Sequence, residues 1–495
     1  MLELRSDIYK FIKEPVRLTF FSSVLLSFIA IFGVVTIGKD GAFYIDIARA
    51  ISDNGVSVAF TRFNWPWYSI LIAGVHDLTE LNYEIIAYAL AVLFMAGACA
   101  LTVSMVKSKT PDAVYWAVLL VLSVPVFNEF RAEIIRDTGF WFFIVLTVWL
   151  VFKNKKVTVL NGLLIQLSIV GATLFRSEAL FIVPAIFLYF LTERNNMSFK
   201  DKFINIACVF SMFFVLFFLG VFFLAFTQYG NSLLEQSRIN KILNLINPYN
   251  LYTSFLFISD KFAQTVLRKW SHSDATVIVF FGFLAALIIR ILTYAGIVSF
   301  VLLDPAGRKG LIAGARKYKL SMIAIALYFC VLLVFFFQAR FINSRYTALL
   351  LLLAIPLIAV ALNEIKHKWP NLLKAFIFIS FLIMFSNVIS LSTKKTHYLE
   401  AAEWVKTHTS TSDKIYYSDL RIAYYADRGY PRAQKMIQVL SNDKTLQSYD
   451  YLLIEADLDD KIFLKWIDES GLKVVSEKTN GKKTVYILIR EGDRP

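Results

Sequence analysis

The feature that most constrains this chain is a recurring one: apolar runs of about twenty residues, separated by short charged segments. A hydrocarbon core about 30 Å thick needs about twenty helical residues to cross it. Inside it, every backbone N–H and C=O must be satisfied within the protein, so such runs fold as spanning helices. Eleven candidate spans are legible, at 18–37, 85–106, 113–127, 138–152, 157–175, 179–191, 203–226, 276–302, 320–338, 346–362 and 374–392. The stretches 113–127, 138–152 and 179–191 are short and cross only where the membrane thins or protein covers their ends. The pair 157–175 and 179–191 reads alternatively as a re-entrant hairpin, which leaves nine spans and both termini on the same sides. Composition agrees: the 495 residues are 57% hydrophobic, include 46 Phe, and are 18% charged, below the roughly 25% of soluble domains. That excludes a disordered chain and argues against one soluble globule. The first run ends in Val35-Thr36-Ile37-Gly38-Lys39 with no small-residue cleavage site, so it reads as a retained span and not a signal peptide.

The net charge of +14 suits either nucleic acid or an anionic membrane surface. Its placement decides. Segments 1–17, 107–112, 153–156, 192–202, 303–319 and 363–373, with Lys374, hold 20 Lys/Arg against 8 Asp/Glu. The opposite segments, 38–84, 127–137, 176–178, 227–275 and 339–345, hold 13 of each. By the positive-inside rule the first set is cytoplasmic, the N-terminus inside and the C-terminus outside. The excess is thus a topology signal facing inner-leaflet lipid, and no nucleic acid partner is implied. Cys99, Cys208 and Cys330 lie in separate apolar runs, with no disulfide framework or zinc spacing.

Residues 393–495 change character, with 17 Lys/Arg against 16 Asp/Glu and no long apolar run. An amphipathic helix is expected over Thr396 to His408, with Leu399, Ala402 and Val405 on one face. Strands are expected at 414–417, 451–454 and 484–489. About 100 residues suffice to bury a core. The domain reading is a transmembrane catalytic region, 1–392, followed by a small soluble α/β domain, 393–495, outside the membrane.

Polar residues crowd the outer loops. Gly38-Lys39-Asp40-Gly41-Ala42-Phe43-Tyr44-Ile45-Asp46 follows the first span. Asp40, partly desolvated at the membrane edge, is either a general base or the cap of a helix over 41–52; Asp46 has a structural or hydroxyl-binding role. In Asn128–Asp137, five charges fall within the nine positions 129–137 against the membrane, which is costly without purpose. Arg131 and Arg136 can hold a phosphate bidentately, and Glu133 or Asp137 can orient them, bind a metal or hold a hydroxyl. The alternative is a solvated salt-bridge cluster. Arg176-Ser177-Glu178 and the loop containing Arg340, Arg345 and Tyr346 also face outward, as lipid-phosphate ligands or as headgroup anchors. Arg290 lies mid-span, where a partner in the bundle is expected. Trp65, Trp67 and Tyr68 suit an interfacial belt or sugar stacking, and loop 227–275 suits interfacial helices. G-x-G-x-x-G, P-loop and H-E-x-x-H motifs are absent. His76-Asp77 and His272 with Asp274 are the only pairs that suggest a metal.

In order and spacing these features resemble the GT-C superfamily of membrane glycosyltransferases that use polyprenyl-phosphate sugars, in its aminoarabinose transferase and protein mannosyltransferase branches. Asp40 with Tyr44-x-x-Ile47-Ala48-Arg49 is similar to the family's first-loop acidic motif. Arg131-x-Glu133-x-x-x-Asp137 sits where the family has its second-loop acidic residue. Asn64-Trp65-Pro66-Trp67-Tyr68 sits where aminoarabinose transferases have Lys-Pro-Pro; the phosphate-contacting Lys is here Asn64, so Arg62 takes over the charge or the donor sits differently. The tail, with Ala402-Glu403-Trp404-Val405, Lys414-Ile415-Tyr416 and Ala423-Tyr424-Tyr425, looks like that of bacterial members.

The resemblance implies a polytopic α-helical, GT-C-like fold in the bacterial inner membrane, working as a monomer with its active site facing the periplasm. The implied activity is an inverting transfer of a sugar from undecaprenyl phosphate to a cell-envelope glycan such as O-antigen or lipid A. Asp40 is the implied base and Asp137 a second acidic site residue. Lys39, Tyr44, Asp46, Arg62, Trp65, Arg131, Glu133, Arg136, Arg176, Glu178, Arg340, Arg345 and Tyr346 are the candidate substrate-binding set. No cofactor is required, because lipid phosphate is already a competent leaving group, although a divalent cation has a place if carboxylates bind one. A lipid-linked sugar flippase and a glycan polymerase or ligase are the rival readings.

Overall fold

The computed structural model describes residues 14–154, 157–192, 198, 200–211, 247–389, 392–432, 434, 436–440 and 443–490. Among them six helices are long and apolar enough to cross a membrane: Pro15–Phe32, Tyr83–Lys109, Lys269–Leu302, Lys319–Ala339, Ser344–Lys366 and Pro370–Val388. Three further apolar helices, Pro111–Ser123, Val159–Phe175 and Ser177–Thr192, are shorter. The shortfall from eleven spans has a physical source. The stretches read as short spans form helices below 18 residues, Asp137–Lys153 carries a charge at each end, and most of 203–226, like Leu233 to Leu245 of the long loop, lies outside the described residues. The chain is thus a mainly helical, multi-pass membrane protein with a small C-terminal sheet.

It divides into two compact units. One contains Leu93–Phe130 and Arg136–Asn387. The other contains Leu26–Val92, Arg131–Ile135 and Val388–Pro495, so the first loop clusters with the tail some 350 residues later.

In the helical unit, packing relies on small residues, as expected where lipid offers no hydrophobic drive between helices. Gly307, Gly310 and Gly314 are buried on one face of the helix Pro305–Lys317. A Cβ at Gly310 would lie 2.5 Å from the Ala361 Cα, and one at Gly314 would lie 2.9 Å from the Leu357 Cα. These helices therefore meet backbone to backbone, with Leu357 and Ala361 one turn apart on the helix Ser344–Lys368. Arg290 is exposed on its helix and donates to the Ile342 carbonyl (3.2 Å), which gives the mid-span cation a structural role.

In the second unit, the tail builds a four-stranded sheet in the order β1-β2-β4-β3. β1 is Ile415–Tyr417, β2 Tyr451–Asp457, β3 Leu472–Thr479 and β4 Lys483–Arg490. β1 and β2 are parallel, and β4 runs antiparallel to both β2 and β3. Strand side chains alternate between faces. Leu453, Val485 and Ile487 therefore pack with Tyr398, Ala402 and Val405 of the helix Thr396–His408, while Leu452, Ile454, Tyr486 and Leu488 pack with Phe463 and Ile467 on the opposite side. Burial on both faces explains why these strands read as continuous apolar runs. Gly310→Ala already places a Cβ 2.5 Å from the Ala361 Cα, so it is expected to force the two helices of the helical unit apart and lower the unfolding temperature in detergent; an unchanged unfolding temperature would remove the close approach.

Candidate functional site

The first-loop helix is Lys39–Asn54. Its N-cap is Gly38, in extended backbone and with no side-chain cap. Asp40 lies inside the first turn, so the capping alternative falls away. A carboxylate there meets the positive end of the helix dipole. Two flanking glycines admit a second segment. A Cβ at Gly38 would lie 2.1 Å from a Glu133 carboxylate oxygen, and one at Gly41 would lie 2.9 Å from the Ile134 Cβ. Residues 131–135 thus press onto the start of the helix. Arg131 is buried beside Glu133, its Nη1 3.3 Å from the Ser27 hydroxyl.

Further along the same helix, Tyr44 is buried against Tyr68 and Phe63, where its ring packs within the unit. Asp46 is buried and paired with Arg62, which also donates to the Tyr430 carbonyl (3.2 Å). Trp65 is half-buried before the helix Trp67–Thr79.

The tail supplies the residues that the sequence had not singled out. Asp419 is 2% exposed and accepts two hydrogen bonds from Arg421, at 2.9 and 2.8 Å, while Lys39 Nζ reaches it at 3.1 Å. Asp419 also caps the helix Leu420–Tyr425. Burial works to raise the Asp419 carboxyl, but the hydrogen bonds and charge of Arg421, with Lys39, outweigh it and hold the group well below the ordinary carboxylate range. Arg421 lies over the Tyr398 ring, and the Tyr398 hydroxyl donates to Glu455 at 2.7 Å. Two tyrosines fasten the neighbouring turns: the Ile37 N–H donates to Tyr425 (2.8 Å), and Arg49 donates to Tyr424 (3.2 Å), which donates to Glu84 (2.8 Å). The usable signal was Asp419-x-Arg421 directly after a strand, an acid and a base two residues apart in an otherwise apolar stretch.

Beside Phe43 opens a cleft of about 540 Å³, lined by Phe43, Thr61, Arg62, Leu420, Tyr430, Pro431 and Arg432. The Tyr430 hydroxyl is pushed up to about 12, by burial first and then by the carboxylates of Asp419 and Asp40. Asp40 therefore acts electrostatically on the wall of this cleft.

The helical unit gathers a second set. Asp137 is buried and paired with Arg176, which also donates to Glu178 at 2.6 Å. The Arg176 guanidinium lies 4.6 Å from the centre of the Tyr346 ring, and Arg345 flanks the same ring at 5.3 Å. Arg136 sits at the N-cap position of Asp137–Lys153. Arg340 is exposed and left-handed (φ 59°) where Lys319–Ala339 ends. Among the described residues no group of three or more His, Cys, Asp or Glu side chains is placed to hold a metal ion. His76 instead hydrogen-bonds the Leu81 carbonyl and stacks on Tyr83, and Asp77 accepts from Ser52.

No family model and no curated protein matches the chain. Among solved structures it is similar to ArnT from Cupriavidus metallidurans bound to undecaprenyl phosphate, at 10% identity and a TM-score of 0.44, covering 95% of this chain and 97% of that one. Against the apo state of the same protein the identity is 11%, with the same score and coverage. A likeness of that size does not itself say what this chain does.

Two predictions follow from the charge network. Asp419→Asn leaves Arg421 buried without its counter-charge, so the tail should lose about 3 kcal/mol, and joint replacement of both residues by Leu should restore most of it; hydrogen exchange of the sheet amides reads both. Burial opposes ionisation of Glu455, yet hydrogen bonds from His397 and Tyr398, with Lys483 nearby, hold it down to about 2, against 4.5 when unpaired. A carboxyl depressed on folding contributes stability above its unfolded value and loses it as pH falls towards the folded one. Tail stability should therefore decline between pH 4.5 and 2, and Glu455→Gln should flatten that decline while lowering stability at pH 7.

Proposed function

We propose that this protein is an inverting glycosyltransferase of the GT-C type, taking a sugar from a polyprenyl phosphate on the periplasmic side of the bacterial inner membrane. The observation that carries the reading is Asp40: a carboxylate in the first turn of the helix that follows the first span, half-buried, with Lys39 beside it and a cleft one turn further on. A carboxylate so placed can take the proton of an acceptor hydroxyl. The hydroxyl oxygen then bonds to the anomeric carbon as the bond from that carbon to the phosphate oxygen breaks. The electron pair leaves with the lipid phosphate, and the configuration at the anomeric carbon inverts. Cations aimed at the departing phosphate stabilise its growing charge.

In the unit that carries Asp40, the basic residues Lys39 and Arg131 are the candidates for that task. In the other unit Asp137, the second acidic residue, holds Arg176 in place through their ion pair. The donor is undecaprenyl-linked, and the acceptor is a cell-envelope glycan such as O-antigen or lipid A. Asp40→Asn should lower transfer from a synthetic polyprenyl-phosphate sugar by about 10²–10⁴-fold while leaving binding of the lipid phosphate unchanged. Full activity in this variant would overturn the assignment, and movement of the lipid-linked sugar across sealed vesicles without transfer would favour a flippase.

A further inference from the structure

The cleft beside Phe43 holds features that the transfer chemistry does not use. Its volume, about 540 Å³, falls within the range of small-ligand sites and accommodates one or two sugar rings. Two of its walls are aromatic: the Phe43 and Tyr430 rings are tilted at 58°, with centroids 5.6 Å apart. Aromatic faces next to a proline suit the C–H face of a pyranose.

Its polar groups are two hydroxyls, Thr61 and Tyr430, and two guanidinium groups, Arg62 and Arg432, and no carboxylate is among its lining residues. The two cations differ. Arg62 is anchored by Asp46 and by the Tyr430 carbonyl, so its charge is largely offset and its position fixed. Arg432 is exposed and makes no ion pair among the described residues. Among the described lining residues Arg432 is thus the cation without an ion-pair partner, and it lies beside stacking surfaces.

The segment that brings Tyr430 and Arg432 here is held in unusual backbone. Asp427 (φ 57°) and Gly429 (φ 70°) are both left-handed. A Cβ at Gly429 would lie 3.2 Å from the Asp46 carboxylate. Sparsely populated conformations persist where the surroundings over-determine them. Here Asp46 sets both sides of the cleft, closing on Gly429 and orienting Arg62.

We infer that this cleft is an acceptor subsite for an acidic sugar, a pyranose unit carrying a phosphate or carboxylate group, with Arg432 binding the anion and Phe43 and Tyr430 stacking on the ring. The inference rests on the glycosyl-transfer reading, because it is Asp40, one helical turn from Phe43, that makes the occupant an acceptor.

The test is saturation-transfer NMR on the full chain in nanodiscs, with glucose, glucuronate, glucose 6-phosphate and inorganic phosphate as probes. Both acidic sugars should bind about tenfold more tightly than glucose, as expected for a charge-assisted hydrogen bond. Arg432→Gln should abolish that preference without changing glucose binding, and Tyr430→Leu should weaken all three sugars. Glucose binding as well as the acids, or an acid preference that survives Arg432→Gln, would overturn the proposal. Inorganic phosphate matching glucose 6-phosphate, and displaced by polyprenyl phosphate, would assign the cleft to the donor and overturn it equally. Asp40→Asn should keep the acid preference intact. If that variant also kept full transfer, the base assignment would fail while the cleft's ligand class stood.

Discussion

The second unit depends on one buried ion pair. Asp419 and Arg421 face each other in a bidentate contact, and Lys39 adds a third charge to the same carboxylate. A buried pair of this kind is weak evidence for stability in itself, because desolvation consumes much of the attraction. Its value lies in direction. Asp419 caps one helix, orients Arg421 onto Tyr398 and fixes Lys39, the residue next to Asp40. A hydrophobic replacement would pack but would fix none of these positions.

Charge in the helical unit is handled in the same way. Arg176 is buried at the end of an apolar helix, where an isolated cation would be costly. Asp137 and Glu178 supply counter-charge, and Tyr346 supplies a ring face. Both units thus hold a buried arginine against acidic and aromatic neighbours. In each group an arginine is held rigidly by acids, the arrangement that suits a planar guanidinium better than a lysine.

The sequence made the helical, multi-pass nature legible because span length is set by membrane thickness, a constraint outside the protein. The helix Thr396–His408 and strands β1, β2 and β4 were equally legible, since their apolar patterns are strong. β3 was not: Leu472–Thr479 alternates polar residues and carries a bulge at Val474 and Ser476, so no apolar run marks it. Within the candidate site, residues 38–46 and 62 stood out because charge beside a membrane is conspicuous. Asp419, Arg421, Tyr430 and Arg432 did not, because charge in a soluble tail is ordinary and only the fold shows which of its charges are buried or line a cleft. The Arg62–Asp46 contact spans a loop and a helix, and no local pattern announces it.

The pairing of Ile37 with Tyr425 joins residues 388 positions apart. During synthesis at about 5–20 residues per second, the first-loop helix would wait roughly 20 to 80 s before its partner emerges. Throughout that interval the first helices are made while the cleft, Lys39's counter-ion and the Tyr430 wall do not yet exist. A chain truncated anywhere before the tail carries Asp40 but no formed site around it, so incomplete copies stalled in the membrane cannot present a finished cleft.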